Sequence, residues 1–342
     1  AYQISAEAAK VPADATGWYD WLGQFEPLAP RDVASPGAMI YTSGTTGRPK
    51  GVRRNAGTPA EMENLYATIN EAFDIGPGRR TIIPAPLYHS APNTYAILCV
   101  VMGMDETVLM PRFDPEELLR LIEKHKTTHL QTVPTMFIRM LKLPEEQRMK
   151  YDTSSLQFVV HAAAPCPPDV KQQMIDWWGP IINEYYGATE VGSVSFLTAE
   201  QWLNHRGSVG KAMANCEIII LDDDGKRVDA HEIGDVYCRN MGGPDFTYHL
   251  DDAKRQKAET QGLISVGDIG YLDEDGFLYL CDRRNDMVIS GGVNIYPAEI
   301  EAVLISHPAI ADCAVFGIPD EDFGESLCAC VQIESGQSVT ED

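Results

Sequence analysis

The chain has 342 residues, 44% of them hydrophobic, which is ordinary for a globular protein and long enough for two or more domains. A net charge of −23 argues against a nucleic-acid partner, whose phosphates it would repel. The longest apolar stretch, residues 96–104, falls well short of the roughly 20 residues that cross a bilayer, and no basic-then-apolar leader opens the sequence, so a cytoplasmic protein without a transmembrane segment is expected.

The first 37 residues are rich in Ala and Pro, carry Trp18 and Trp21, and receive no assignment. Residues 38–41 read as a short buried strand that would put the next loop at a strand's carboxyl end, where open α/β sheets bind ligands. That loop, Thr42-Ser43-Gly44-Thr45-Thr46-Gly47-Arg48-Pro49-Lys50, has the makings of a phosphate cradle. A phosphate offers acceptor oxygens and no donors, so its site needs hydroxyls, backbone N–H groups and a cation. Thr42, Ser43, Thr45 and Thr46 supply hydroxyls, Gly44 and Gly47 let the backbone bend, Lys50 supplies charge, and Pro49 stiffens the exit. The Walker order is absent, which disfavours a P-loop kinase or GTPase. On composition alone a Ser/Thr/Gly surface turn fits as well.

Thr58-Pro59-Ala60-Glu61 is a capping box with proline at the first helical position, and Met62, Leu65, Tyr66, Ile69 and Phe73 follow on one face. Gly76-Pro77-Gly78 is read as the stop. Strands are then expected near 81–85, 107–110, 129–133, 156–162 and 181–186. Helices alternate with them near 96–102, 115–125, 135–143 and 168–178. This alternation predicts an α/β fold with a mainly parallel βαβ sheet. From about residue 210 to 282, short strands around turns such as Asp223-Asp224-Gly225 predict a small β-rich subdomain. After Arg283 a strand, a helix over 298–306 and strands over 311–318 and 328–333 predict the start of a small α+β C-terminal domain. The expected division is therefore 1–282 and 283–342. The eight cysteines show no zinc spacing, and most of them are expected to be small buried hydrophobes.

The loop at 42–50 resembles the phosphate-binding signature of the adenylate-forming superfamily, which includes acyl-CoA synthetases, luciferase and peptide-synthetase adenylation domains. Further motifs follow in that family's order and extend the resemblance over about 38–333, nearest to fatty-acid-type acyl-CoA synthetases. Asn183-Glu184-Tyr185-Tyr186-Gly187-Ala188-Thr189-Glu190 is similar to its Tyr-Gly-x-Thr-Glu signature. The resemblance implies that Glu190 binds Mg2+, that Thr189 touches the α-phosphate, and that Tyr186 stacks on adenine with Glu184, Tyr185 and Gly187 lining the pocket. Lys50 and Thr45 would act on the phosphates. His161-Ala162-Ala163-Ala164-Pro165 stands where the family has a glycine-rich turn against adenine, so Ala163, Ala164 and Pro165 are candidate contacts with alanine in place of glycine. Pro86-Leu87-Tyr88-His89-Ser90 matches a segment that puts His89 between the acyl site and the pantetheine tunnel. His89, Ala91, His161, Ala162, Ala188 and Val191 would wall the acyl pocket, with small side chains leaving room for a bulky acid. The stretch from Gly267 to Arg283 implies that Asp268 clamps the ribose hydroxyls with Arg283 nearby. Asn285 would be the hinge, although many members carry Asp or Lys there.

By this resemblance the chain forms an acyl-adenylate from a carboxylic acid and ATP with Mg2+, then transfers the acyl group to coenzyme A. Loading of a carrier-protein thiol, a luciferase-like oxidation and a non-catalytic nucleotide-binding module are the alternatives. The acid stays open, as does a homodimer. The family's lysine near the C-terminus has no counterpart, because no lysine follows Lys257. Only 40 residues precede Tyr41, so the chain is expected to be an internal portion of a longer enzyme, poor at adenylation alone.

Overall fold

The computed structural model describes residues 22–27, 38–42 and 50–340. The loop residues Ser43, Gly44, Thr45, Thr46 and Gly47, to which phosphate contacts were assigned, lie outside the described residues. Contacts divide the chain into units 1–36 and 37–342. In the first, the described piece is a short turn in which Phe25 N–H donates to the Leu22 carbonyl at 3.1 Å.

The second unit begins with β1 (Met39–Thr42) and β2 (Lys50–Arg54), followed by α1 (Pro59–Phe73), β3 (Arg80–Ile83), α2 (Ser90–Val101), β4 (Glu106–Leu109) and α3 (Pro115–His125). Next come β5 (His129–Thr132), α4 (Pro134–Leu141), α5 (Glu145–Arg148), β6 (Phe158–His161), α6 (Pro168–Trp178), β7 (Ile182–Ala188), β8 (Gly192–Leu197), α7 (Ala199–Asn204) and β9 (Lys211–Ala212). Strands β3 to β9 form one seven-stranded sheet in the order β4-β3-β5-β6-β7-β8-β9. The first five of these run parallel, while β8 and β9 are added antiparallel. The predicted βαβ sheet is therefore present. Helices α3, α4 and α6 pack on one face around Leu118, Ile122, Phe137, Met140 and Met174, and α1 and α2 cover the other around Phe73, Tyr95 and Cys99. Each face buries a continuous apolar layer, as a sheet covered on both sides requires.

Two expectations are corrected. The strand before the phosphate loop is not a buried strand of the parallel sheet. β1 is a half-exposed edge strand that pairs antiparallel with β2. Its four residues alternate between exposed and intermediate because only one face is covered. The helix after Thr58 forms with its capping box, but it ends at Phe73, where Asp74 takes a left-handed φ of 47°, before Gly76-Pro77-Gly78 is reached.

The β-rich part contains β10 (Cys216–Leu221), β11 (Gly234–Asn240), β12 (Phe246–Tyr248), α8 (Asp252–Lys257), β13 (Glu259–Thr260), β14 (Leu263–Leu272) and β15 (Leu278–Arg283). Strand β12 leaves its neighbours to pair with β2, completing a three-stranded sheet β1-β2-β12. The remaining strands make an antiparallel sheet in which β14 pairs with β11, β13 and β15. Last come β16 (Val288–Ser290), β17 (Val293–Ile295), α9 (Pro297–Ser306), β18 (Ile310–Asp320) and β19 (Gly324–Ile333), which form a four-stranded sheet in the order β17-β16-β19-β18. Among the described residues no helix is long and apolar enough to cross a membrane.

Candidate functional site

Side chains alternate along a strand, so β2 presents Lys50, Val52 and Arg54 on one face. Val52 is buried in the core with Tyr186, Val191 and Phe246. The two cations either side of it meet the turn that joins β7 to β8. Lys50 Nζ lies 2.7 Å from Glu190 Oε1 and 5.0 Å from the centre of the Tyr248 ring. Tyr248 donates its hydroxyl to the same oxygen at 3.0 Å. Arg54 Nη2 donates to the Thr189 carbonyl at 2.9 Å, and the Thr189 hydroxyl lies 3.1 Å from that of Ser90, the first residue of α2. Thr189 and Glu190 are thus held by side chains from three elements. Glu190 is 6% exposed, a buried and paired carboxylate rather than a solvated loop position. The turn is tight enough to require glycine at 187, where a Cβ would stand 2.1 Å from the Gly192 carbonyl oxygen.

The same segment also leads to Asp268. Tyr186 donates its hydroxyl to Asp268 Oδ2 at 2.5 Å. Asp268 is in register with Arg283 across β14 and β15, and Arg283 Nε stands 3.7 Å from Oδ1. Burial raises the Asp268 carboxyl above its ordinary range, with the Tyr186 hydroxyl and the Arg283 charge acting against it. A carboxylate held this way keeps acceptor capacity for two adjacent hydroxyls. The carboxyl end of β7 therefore stands next to two carboxylates: Asp268, held by the Tyr186 phenol, and Glu190, just past the strand and paired with a cation.

A third polar group lies beneath. Thr132, His161 and Glu184 are in register across β5, β6 and β7. Lys171 of α6 donates to Glu184 Oε2 at 2.6 Å, and His161 Nε2 is 3.4 Å from the same oxygen. All three side chains are buried, and neither His161 nitrogen has a hydrogen-bond partner among the described residues. Burial, and secondarily the Lys171 charge, push His161 well below its ordinary value and keep it neutral. Burial raises the Glu184 carboxyl, with Lys171 pulling it back.

Glu184 is engaged with Lys171, Tyr185 packs on Phe73 with ring centres 5.0 Å apart, and the Tyr186 ring is buried with Val52 and Val194, so none is displayed to solvent. Neither does the structure bring the acyl-pocket candidates to one place. Alternation along β6 sends His161 to Phe137 on one face of the sheet and Ala162 to Tyr95 and Tyr185 on the other. Ala188 and Val191 belong to the layer around Val52, Ala91 is half-buried, and His89 is exposed beside Tyr88, ring centres 4.5 Å apart. Ala163, Ala164 and Pro165 are exposed, and Ala163 has φ 75°. Asn285 is exposed in the turn between β15 and β16.

Arg54, Ser90, Tyr248 and Lys171 were not read as site residues. Arg54 had a signal, since it shares strand parity with Lys50. Tyr248 had none, being 58 residues from Glu190. Thr42 Oγ1, at the loop's entry, is buried without a partner among the described residues, which suits a donor to a phosphate oxygen. No cluster of three or more His, Cys, Asp or Glu that could hold a metal is found among the described residues. A single carboxylate such as Glu190 would suit Mg2+, which keeps waters and phosphate oxygens as its other ligands.

Comparison with known proteins agrees with this layout. The sequence model described as AMP-binding enzyme matches residues 2–243, and that described as AMP-binding enzyme C-terminal domain matches 299–342. A 2-succinylbenzoate–CoA ligase of Bacillus velezensis is 35% identical over 323 residues, 93% of this chain and 63% of the relative. A medium/long-chain-fatty-acid–CoA ligase of Mycobacterium tuberculosis is 32% identical over 349 residues, 100% of this chain and 57% of the relative. The solved O-succinylbenzoate coenzyme A synthetase of Bacillus subtilis, in complex with ATP and magnesium ion, superposes with a TM-score of 0.74 at 31% identity, covering 89% of this chain and 62% of that one. The chain thus spans about three-fifths of the length of these relatives. With the family model matching well over half of the sequence and the same α/β architecture recurring in a solved relative, the chain belongs to the AMP-binding enzyme family.

Proposed function

We propose that the protein to which this chain belongs is an AMP-forming acid–thiol ligase. It joins a carboxylic acid to ATP, releasing pyrophosphate and an acyl-adenylate, and then transfers the acyl group to coenzyme A with release of AMP. The observation that carries this reading is the convergence of Lys50, Arg54, Ser90 and Tyr248 on the Thr189-Glu190 turn, at the carboxyl end of a strand that also reaches Asp268.

Attack of a carboxylate on the α-phosphorus requires the departing pyrophosphate to be neutralised. In this reading the loop hydroxyls of Thr42, Ser43, Thr45 and Thr46 and the backbone at Gly44 and Gly47 bind phosphate oxygens, with Lys50 adding charge. Glu190 would hold Mg2+, which supplies Lewis-acid stabilisation of the phosphates when bound. Thr189 orients the α-phosphate through its hydroxyl, and Asp268, held by Tyr186, accepts from the ribose. The backbone of Ala163, Ala164 and Pro165 faces the adenine, and His89, exposed near Ser90, borders the acyl and pantetheine path. Residues 1–282 then form the acid- and ATP-binding domain. Residues 283–342 begin a mobile domain that turns near Asn285.

ATP–pyrophosphate exchange by the full-length protein across a panel of fatty, aryl and short functionalised acids tests the first half-reaction. Acyl-CoA formation with free coenzyme A tests the second. Acid-dependent exchange followed by thioester product is expected; ATP binding without exchange on any acid would sink the proposal.

A further inference from the structure

We propose that Arg54 is a positioning residue for adenylation: by gripping the Thr189 carbonyl it fixes the main chain of the turn that carries Glu190, and so sets where that carboxylate stands. The inference rests on the function proposed above.

One strand grips the turn at two points. Lys50 and Arg54 lie four residues apart on the same face of β2, about 13 Å along an extended strand. Lys50 takes the Glu190 side chain while Arg54 takes the backbone of the residue before it. Strand β2, which follows the phosphate loop in the chain, is therefore tied directly to the turn bearing the acidic residue. Gly192 lies against the guanidinium: a Cβ there would stand 3.5 Å from Arg54 Nη2, an ordinary contact, so it is the left-handed φ of 75° that calls for glycine.

The cost of keeping a cation here argues that it serves the turn. Burial depresses the Arg54 guanidinium below its ordinary value, with Glu190 and Asp245 as the nearby carboxylates acting against that. An apolar side chain would fill the same position on β2 without that penalty. Arg54, Glu190, Asn240, Asp245 and Phe246 surround a cavity of about 20 Å³, room for one water to serve the remaining guanidinium donors. What an apolar residue could not do is hold the Thr189 carbonyl. Without that bond the turn is free to shift, and a carboxylate displaced by an ångström no longer faces the same point.

The test compares wild type, Arg54→Met and Arg54→Lys in the full-length protein. It measures MgATP binding by calorimetry without acid, KM for MgATP and for the acid in pyrophosphate exchange, and the melting temperature. Loss of one bond to a charged donor predicts about tenfold weaker MgATP binding for Arg54→Met. KM for the acid and the melting temperature should stay near wild type, and Arg54→Lys should recover part of the binding. If Arg54→Met binds MgATP as wild type does, the inference is overturned. It is equally overturned if both variants lose MgATP binding, acid binding and thermal stability together, since that is a packing role. Should Arg54→Met fail to fold, Arg54→Lys decides: weaker MgATP binding with unchanged acid KM supports the inference, and unchanged binding refutes it. Absence of acid-dependent exchange in the wild type strikes the proposed ligase and leaves the binding comparison standing.

Discussion

Ala163 occupies a backbone conformation, φ 75°, that an L side chain rarely adopts, in the turn where the resemblance led to an expectation of glycine. Its methyl group costs roughly 1–2 kcal/mol in that region, against about 0.5–1 kcal/mol of extra chain entropy that a glycine would lose on folding. Ala163→Gly is therefore expected to be neutral or to stabilise by about 1 kcal/mol, read as a rise in the urea midpoint; a clear loss of stability would show that the methyl has a packing partner. His161 makes a prediction about pH. The folded chain holds it neutral whereas the unfolded chain protonates it near 6.5, so the unfolded state binds the extra proton and stability falls as pH drops below that value. Over one pH unit the loss approaches about 1.4 kcal/mol. The difference in unfolding free energy between pH 7.5 and 5.5 should shrink by about that amount in His161→Leu; equal slopes for the two proteins would refute a neutral buried imidazole.

The link between α6 and β7 is a fully buried cation against a carboxylate, and its removal is costly in one direction only. Lys171→Met leaves Glu184 buried and unpaired, with an expected loss of about 3–5 kcal/mol. Lys171→Met with Glu184→Met removes both charges and should recover most of it. Chemical denaturation of the single and double variants measures the difference, and a double variant no better than the single would contradict it. Such pairs explain what the sequence could convey. The helices over 59–73, 115–125 and 168–178 were legible because their signals are local: the capping box at Thr58, the cap at Asp114, proline at the first turn. Glu184 and Glu190 were legible only as members of a motif, because their partners Lys171, Lys50 and Tyr248 come from other elements. The β1-β2 pairing was misread for a related reason. Apolar residues at 38–41 suit a buried strand or an edge strand alike, and the strand that completes their sheet, Phe246–Tyr248, lies about two hundred residues away.

The C-terminal four-stranded sheet is fastened to the rest of its unit at a few polar points. Lys142, just after α4, donates to the Ile310 carbonyl at 2.5 Å and pairs with Glu334 at 2.9 Å. Arg284 spans Asp235 at 2.8 Å and Asp223 at 2.9 Å. Asp282 accepts from the Ala298 amide at 3.0 Å at the start of α9. Half-exposed ion pairs of this kind contribute little each, about 0–1 kcal/mol, which would suit the mobile domain proposed above. Lys142→Ala is expected to speed hydrogen exchange in β18 and β19 while leaving β5, β6 and β7 unchanged. Uniform exchange throughout the unit would mean that the sheet is not separately fastened.

The bond between Lys50 and Glu190 has a consequence for the order in which a site of the proposed kind fills. Each group is the other's counterion, so an anion that claims the ammonium strands the carboxylate, and a divalent cation that claims the carboxylate frees the ammonium. The two guests must then favour each other's arrival by one shared factor, whichever comes first. Titrations of ATP at several Mg2+ concentrations, and of Mn2+ at several ATP concentrations, should return the same coupling factor in wild type. Lys50→Met should reduce that factor toward what the ions show for each other in free solution, and a factor unchanged by the substitution would mean that the pair does not couple the two guests.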